Sequence, residues 1–62
     1  MEKYCFGNKV KTTKDWNNGH GLFIPNGSIV TVLFDNGNMC RCDFQGEEVW
    51  YEYESLGEIL EN

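Results

Sequence analysis

The sequence predicts an all-β fold: a small barrel built on a three-stranded antiparallel meander, with a short helical turn or strand at the C-terminus. Two observations carry this prediction. The chain has 62 residues, so residues 1–62 form a single domain with a thin core. Turn signals such as Asn-Gly and Asp-Asn-Gly recur at short intervals, and the runs between them are rich in valine, threonine and aromatic residues. Short strands separated by turn signals are typical of barrels and sandwiches.

The composition is 40% hydrophobic and 15% aromatic, which is too apolar for a disordered segment. The longest apolar run falls far short of the ~20 residues that span a bilayer, and the first residues lack the apolar core of a secretory signal. We therefore expect a cytoplasmic protein that makes no membrane contact.

The first strand is predicted over residues 7–13 with Val10 facing inward, and an irregular loop over residues 14–22. Asp35-Asn36-Gly37 fits a three-residue hairpin loop with glycine in the left-handed conformation. The predicted pairs are Phe34 with Asn38, Val32 with Cys40, and Val30 with Cys42. Alternation then gives one wholly apolar face, made of Val30, Val32, Phe34, Cys40, Cys42 and Phe44.

A second hairpin is predicted at a two-residue Gly46-Glu47 turn of type II′. The predicted pairs are Phe44 with Val49, Cys42 with Tyr51, Cys40 with Tyr53, and Arg41 with Glu52. This register continues the same apolar face. Ser55 and Glu58 have the spacing of a capping box, which predicts a turn of helix. Alternatively, residues 58–60 form a last short strand that closes the barrel.

The order of elements resembles an SH3-like small β-barrel, in the broad class that includes KOW and Tudor domains and short phage or mobile-element proteins. The resemblance lies in residues 7–12 as a first strand, the long loop, residues 27–34, the turn at residues 35–37, and residues 50–56. It implies binding of peptides, proteins or nucleic acid through the first loop and the exposed strands, and it brings no catalytic residue.

The net charge of −5 is unevenly distributed. Residues 1–31 hold four lysines against two carboxylates, and residues 32–62 hold one arginine against eight carboxylates. Such a C-terminal half repels phosphate backbones and attracts basic surfaces, so a protein partner with a basic surface is favoured over nucleic acid. The alternative that acidity serves only solubility stays open.

The candidate binding residues lie on the face opposite the predicted core. Trp50 forms an apolar patch there with Leu33 and Met39, and tryptophan is over-represented in interface hot spots. Trp16, in the first loop, is a further candidate unless it covers one end of the core. A homodimer contact through the same patch is the alternative. The acidic candidates are Asp43, Glu47, Glu48 and Glu52.

The three cysteines, Cys5, Cys40 and Cys42, are an odd number without an export signal, so we expect reduced, buried small hydrophobes. A zinc site formed by these cysteines and His20 is the alternative, although a lone Cys-x-Cys in a strand is a weak signal. No cofactor and no catalytic residue are predicted.

The predicted function is a non-enzymatic protein-interaction module. Its narrower form is an anti-defence inhibitor, encoded by a phage or mobile element, that occupies a basic surface on a host protein. The alternative is a nucleic-acid-binding barrel in which Trp16 stacks on bases beside a basic edge of Lys3, Lys9, Lys11 and Lys14.

Overall fold

The structure, a computed structural model, describes residues 3–61 of the chain, and within that range it is built of strands and one 3₁₀ turn. The strands are β1 (Lys9–Thr12), β2 (Trp16–Asn17), β3 (Phe23–Ile24), β4 (Ile29–Asp35), β5 (Met39–Phe44), β6 (Glu47–Glu52) and β7 (Leu56–Glu61). The 3₁₀ turn covers Tyr53–Ser55. The all-β prediction is therefore confirmed. No helix in this range is long and apolar enough to cross a membrane.

Five strands form one antiparallel sheet in the order β6-β5-β4-β1-β7, and β2 pairs with β3 in a separate two-stranded sheet. The predicted meander is present as β4-β5-β6. The last strand returns to lie beside β1, which leaves β6 and β7 as the two edges, so the five-stranded sheet is not closed into a barrel. The capping-box prediction is wrong, because Ser55 ends the 3₁₀ turn and Glu58 lies within β7.

The core follows the alternation of side chains along the strands. Val10 is fully buried on β1, as predicted. Ile24 from the two-stranded sheet closes the core, and Trp16 and Leu22 pack against it. The buried apolar residues are Val10, Ile24, Val30, Val32, Cys40, Cys42, Val49, Tyr51 and Leu56.

The first hairpin has a different register from the prediction. Val32 pairs with Cys42 instead of Cys40, and a bulge between Val32 and Phe34 places Phe34 opposite Arg41 and Asp35 opposite Cys40. Phe34 is consequently 52% exposed, and Asp35 is buried in its place. The predicted inward position of Phe34 is wrong because the extra residue of the bulge inverts the alternation after Leu33.

The second hairpin turns one residue earlier than predicted. Gln45 and Gly46 both have positive φ, 52° and 89°, which is the signature of a type I′ turn. Phe44 therefore pairs with Glu47, and the predicted pairing of Phe44 with Val49 is wrong by two residues. A shift of two preserves the alternation, so Val49 and Tyr51 still face inward.

Candidate protein-interaction face

The solvent-facing side of the meander carries a row of three side chains across three strands. Trp50 on β6 pairs with Arg41 on β5, and Arg41 pairs with Phe34 on β4. Adjacent strands lie about 4.8 Å apart, so the row spans roughly 10 Å. Trp50 is 40% exposed and Phe34 is 52% exposed. We call this side of the meander the outer face. It comprises the row of Trp50, Arg41 and Phe34 and the residues that border the row.

The bulge in β4 extends the outer face toward the N-terminal segment. Leu33 is half-buried there, and Phe6 is 80% exposed. A shallow cavity of about 260 Å³ separates the two segments, lined by Tyr4, Cys5, Phe6, Leu33, Phe34 and Asp35. Two exposed phenylalanines therefore add to the indole of Trp50. The inward-outward pattern did not reveal either of them.

Carboxylates border the row along β5 and β6. Glu52 pairs with half-buried Met39, and Glu48 pairs with Asp43. Glu47 pairs with Phe44 beside the turn, and strand alternation places it on the side of Val49 and Tyr51, away from Trp50. The four acidic candidates thus lie on one hairpin, and three of them, Asp43, Glu48 and Glu52, lie on the same side as Trp50.

Arg41 is the one cation within this hairpin. Its Nε lies 3.6 Å from Oε1 of Glu48, and both side chains are about half exposed. The predicted cross-strand pair of Arg41 with Glu52 is wrong, because Arg41 pairs with Trp50 and Glu52 with Met39. An exposed ion pair of this kind contributes little to stability, so both groups stay available to a partner.

Trp16 contacts the backbone of β6, the strand that carries Trp50. Its Nε1 donates a hydrogen bond of 3.1 Å to the backbone carbonyl oxygen of Trp50. Its ring packs on buried Tyr51, with ring centroids 6.1 Å apart. The indole of Trp16 is half-buried by this contact, so it fixes the edge strand β6 and lies apart from the row that contains Trp50.

Asp35 is a buried carboxylate that sequence reasoning placed in the turn. Its Oδ2 accepts hydrogen bonds from the backbone N–H groups of Lys3 and Tyr4, at 2.8 and 2.9 Å. Its Oδ1 accepts from the N–H of Gly37 at 2.8 Å and from the hydroxyl of Tyr53. Burial raises the pKa of the carboxyl, but these hydrogen bonds outweigh it and hold the pKa well below its usual range.

The sequence predicts only one of these contacts. The Asp-x-Gly spacing is typical of an aspartate side chain that accepts a hydrogen bond from the backbone N–H two residues further on. The contacts with Lys3, Tyr4 and Tyr53 join segments 18 to 32 residues away. No local pattern encodes them. The result is that the N-terminal segment is tied to the β4-β5 hairpin.

The cysteines divide into two groups. Cys40 and Cys42 are free thiols in the core, and burial raises the pKa of each to about 12. Cys5 is exposed, so its predicted burial is wrong. Within residues 3–61, histidine, cysteine and acidic side chains form no group of three or more able to hold a metal ion. His20 lies in an exposed loop.

Of the four lysines of the alternative nucleic-acid surface, Lys9 and Lys11 lie on the same side of β1, opposite buried Val10. Lys3 sits over the ring of Tyr53, and Lys14 pairs with Glu54 at 3.4 Å. Lys9 donates to Oγ1 of Thr31 at 3.4 Å. Since Trp16 packs on Tyr51, the proposed stacking platform is also half covered.

These features define a small all-β protein with an exposed aromatic row on an acidic hairpin. Comparison with protein-family models, with curated proteins and with solved structures gives no match to the chain.

Proposed function

We propose that this chain is a non-enzymatic protein-interaction module whose outer face docks on a basic surface of a partner protein. The observation that carries the proposal is the exposed row of Trp50, Arg41 and Phe34, bordered by carboxylates on the same hairpin. Aromatic and arginine side chains are the residues most enriched among interface hot spots. Acidic residues around such anchors attract a basic partner and exclude acidic ones.

The rigidity of the face supports this assignment. The backbone of Trp50 is held by β5 on one side and by the Trp16 indole on the other. Side chains on a sheet are positioned more precisely than side chains on loops. A partner would therefore bind preformed anchors and lose little conformational entropy on docking.

We propose the SH3-like class as the fold that goes with this function, with an open sheet in place of a closed barrel. It is supported by the order of elements: a first strand, a long loop containing β2 and β3, a meander, a short 3₁₀ turn and a last strand that returns beside the first. The narrower form, an anti-defence inhibitor from a phage or mobile element, stays a prediction.

The test is partner capture with the wild-type chain and two variants. Trp50→Ala should weaken binding of the captured protein by about 30-fold, the usual loss for a hot-spot residue. Glu48→Gln should weaken binding at low salt and reduce its dependence on salt, since it removes one steering charge. Affinity is measured by calorimetry with the purified partner over a series of salt concentrations.

The matched control is Phe23→Ala, because Phe23 is as exposed as Phe34 but lies on β3 in the separate two-stranded sheet. Its affinity should equal that of the wild type, and circular dichroism should show all variants folded. Equal partner affinity for Trp50→Ala and the wild type would show that the outer face is not the docking surface. If the captured protein is a second copy of this chain, the proposal of a basic partner is wrong and the outer face is a homodimer contact.

A further inference from the structure

An open cleft of about 400 Å³ lies at the end of the meander, next to the 3₁₀ turn. Its lining is Lys3, Asn38, Glu52, Tyr53 and Glu54. The cleft is separate from the Trp50 row, although Glu52 borders both. It is named the Tyr53 cleft below.

The ring of Tyr53 is held in place from two sides. Its hydroxyl donates to Asp35, and its ring packs at a tilt of 56° on the ring of Tyr4, with centroids 6.0 Å apart. Burial raises the pKa of the phenol to about 12, with the Asp35 carboxylate adding to the effect, so the hydroxyl stays protonated at neutral pH. The structure therefore presents a neutral, fixed aromatic ring to the cleft.

A cation from the same chain already occupies this ring. Nζ of Lys3 lies 5.0 Å from the ring centroid of Tyr53, within the range of a cation–π contact. The backbone N–H of Lys3 is bound to Asp35, which brings its side chain to the ring. The arrangement demonstrates that the ring and its surroundings accept a positive charge.

Two carboxylates add to the attraction for cations. Glu52 and Glu54 are both exposed and line the cleft. Glu54 also lies 3.4 Å from Nζ of Lys14, in a pair whose side chains are 55% and 64% exposed. A pair so open to solvent is weak and leaves the carboxylate accessible.

We infer that the Tyr53 cleft binds an arginine side chain of the basic partner, which displaces the ammonium of Lys3 from the Tyr53 ring; this inference rests on the proposed function. A planar guanidinium stacks on an aromatic face and bonds a carboxylate at the same time, and it is more weakly hydrated than an ammonium. An arginine therefore gains more from this ring and from Glu52 than the lysine that it replaces.

The test uses a hexa-arginine peptide as the probe and a hexa-citrulline peptide, which has the same shape without charge, as its control. The arginine peptide should shift the NMR ring resonances of Tyr53, and the citrulline peptide should not. Lys3→Gln removes the competing cation and should tighten arginine-peptide binding about two- to five-fold, the range expected from an exposed cation–π contact. Glu52→Gln should weaken it by a similar factor.

Two matched variants separate the cleft from net charge. Lys11→Gln and Glu58→Gln make the same charge changes on β1 and β7, outside the cleft, and their effects should be smaller. Equal effects of Lys3→Gln and Lys11→Gln would overturn the inference, as would unchanged Tyr53 resonances. Trp50→Ala distinguishes a failure of the outer-face proposal from a failure of this one, because it should reduce partner capture and leave peptide binding at the Tyr53 cleft unchanged.

Discussion

The hydroxyl of Tyr53 donates a hydrogen bond to the buried carboxylate of Asp35, and this contact joins the end of the meander to its first hairpin. The same carboxylate binds the N–H groups of Lys3 and Tyr4. Three separate segments therefore depend on one acidic side chain. Because both the outer face and the Tyr53 cleft border these segments, Asp35 positions the surface from which the function is proposed.

Asp35→Asn is expected to lower the free energy of unfolding at pH 7 by about 2 kcal/mol, since hydrogen bonds to a charged group are lost. The pKa of Asp35 in the folded state lies below the unfolded value of 3.8. Its stabilisation is therefore complete above that value and is lost as the pH falls below about 4, with a slope that approaches about 1.4 kcal/mol per pH unit.

Urea unfolding of the wild type and Asp35→Asn between pH 7 and pH 2 measures this difference. The gap between the two proteins should be constant above about pH 5 and shrink in acid. Asp43→Asn is the matched control and should change stability at pH 7 by less than about 0.5 kcal/mol. If the difference in the free energy of unfolding stays constant in acid, the hydrogen bonds to Asp35 do not depend on the charge of its carboxylate.

Tyr51→Phe is expected to raise the free energy of unfolding by about 1 kcal/mol. The Tyr51 hydroxyl is buried and has no hydrogen-bond partner among residues 3–61, so its removal relieves an uncompensated desolvation cost. Tyr53→Phe, which removes a bonded hydroxyl, should lower stability instead. Thermal unfolding compares the two variants, and a loss of stability in Tyr51→Phe would contradict the structure around this hydroxyl.

Gln45→Asn is expected to stabilise the chain by about 0.5 kcal/mol. Gln45 has a positive φ at the first position of a type I′ turn, where asparagine before glycine is strongly preferred. The melting temperature is the measurement, and Glu47→Asn outside the turn is the control. If the turn lay at Gly46-Glu47 instead, Glu47→Asn would change the melting temperature and Gln45→Asn would not.

Thiol labelling is expected to separate Cys5 from the other two cysteines. Cys5 is exposed, whereas Cys40 and Cys42 are buried with their pKa values raised to about 12, and only the thiolate reacts readily. The folded protein at pH 8 should therefore modify at Cys5 alone, and all three should react in denaturant. Mass spectrometry of labelled peptides identifies the sites. Labelling of Cys42 in the folded protein at the rate of Cys5 would contradict the core.

The sequence alone predicts the all-β class and the meander over β4 to β6. It also predicts which residues of the meander are buried, namely Val30, Val32, Cys40, Cys42 and Tyr51. It does so because the period of two in a strand assigns each side chain to a face, and a register error of two residues leaves that assignment unchanged. The same reasoning correctly left Trp50 outside the core.

The tertiary structure decided the rest. The exchange of Phe34 and Asp35 depends on a bulge, and the carboxylate that it buries is hydrogen-bonded to residues more than 30 positions away in sequence. The support that Trp16 gives Trp50, and the position of Lys3 over Tyr53, likewise join distant segments. Local patterns report the alternation within a strand, whereas the position of a buried charge is set by whichever distant donors the folded chain brings to it.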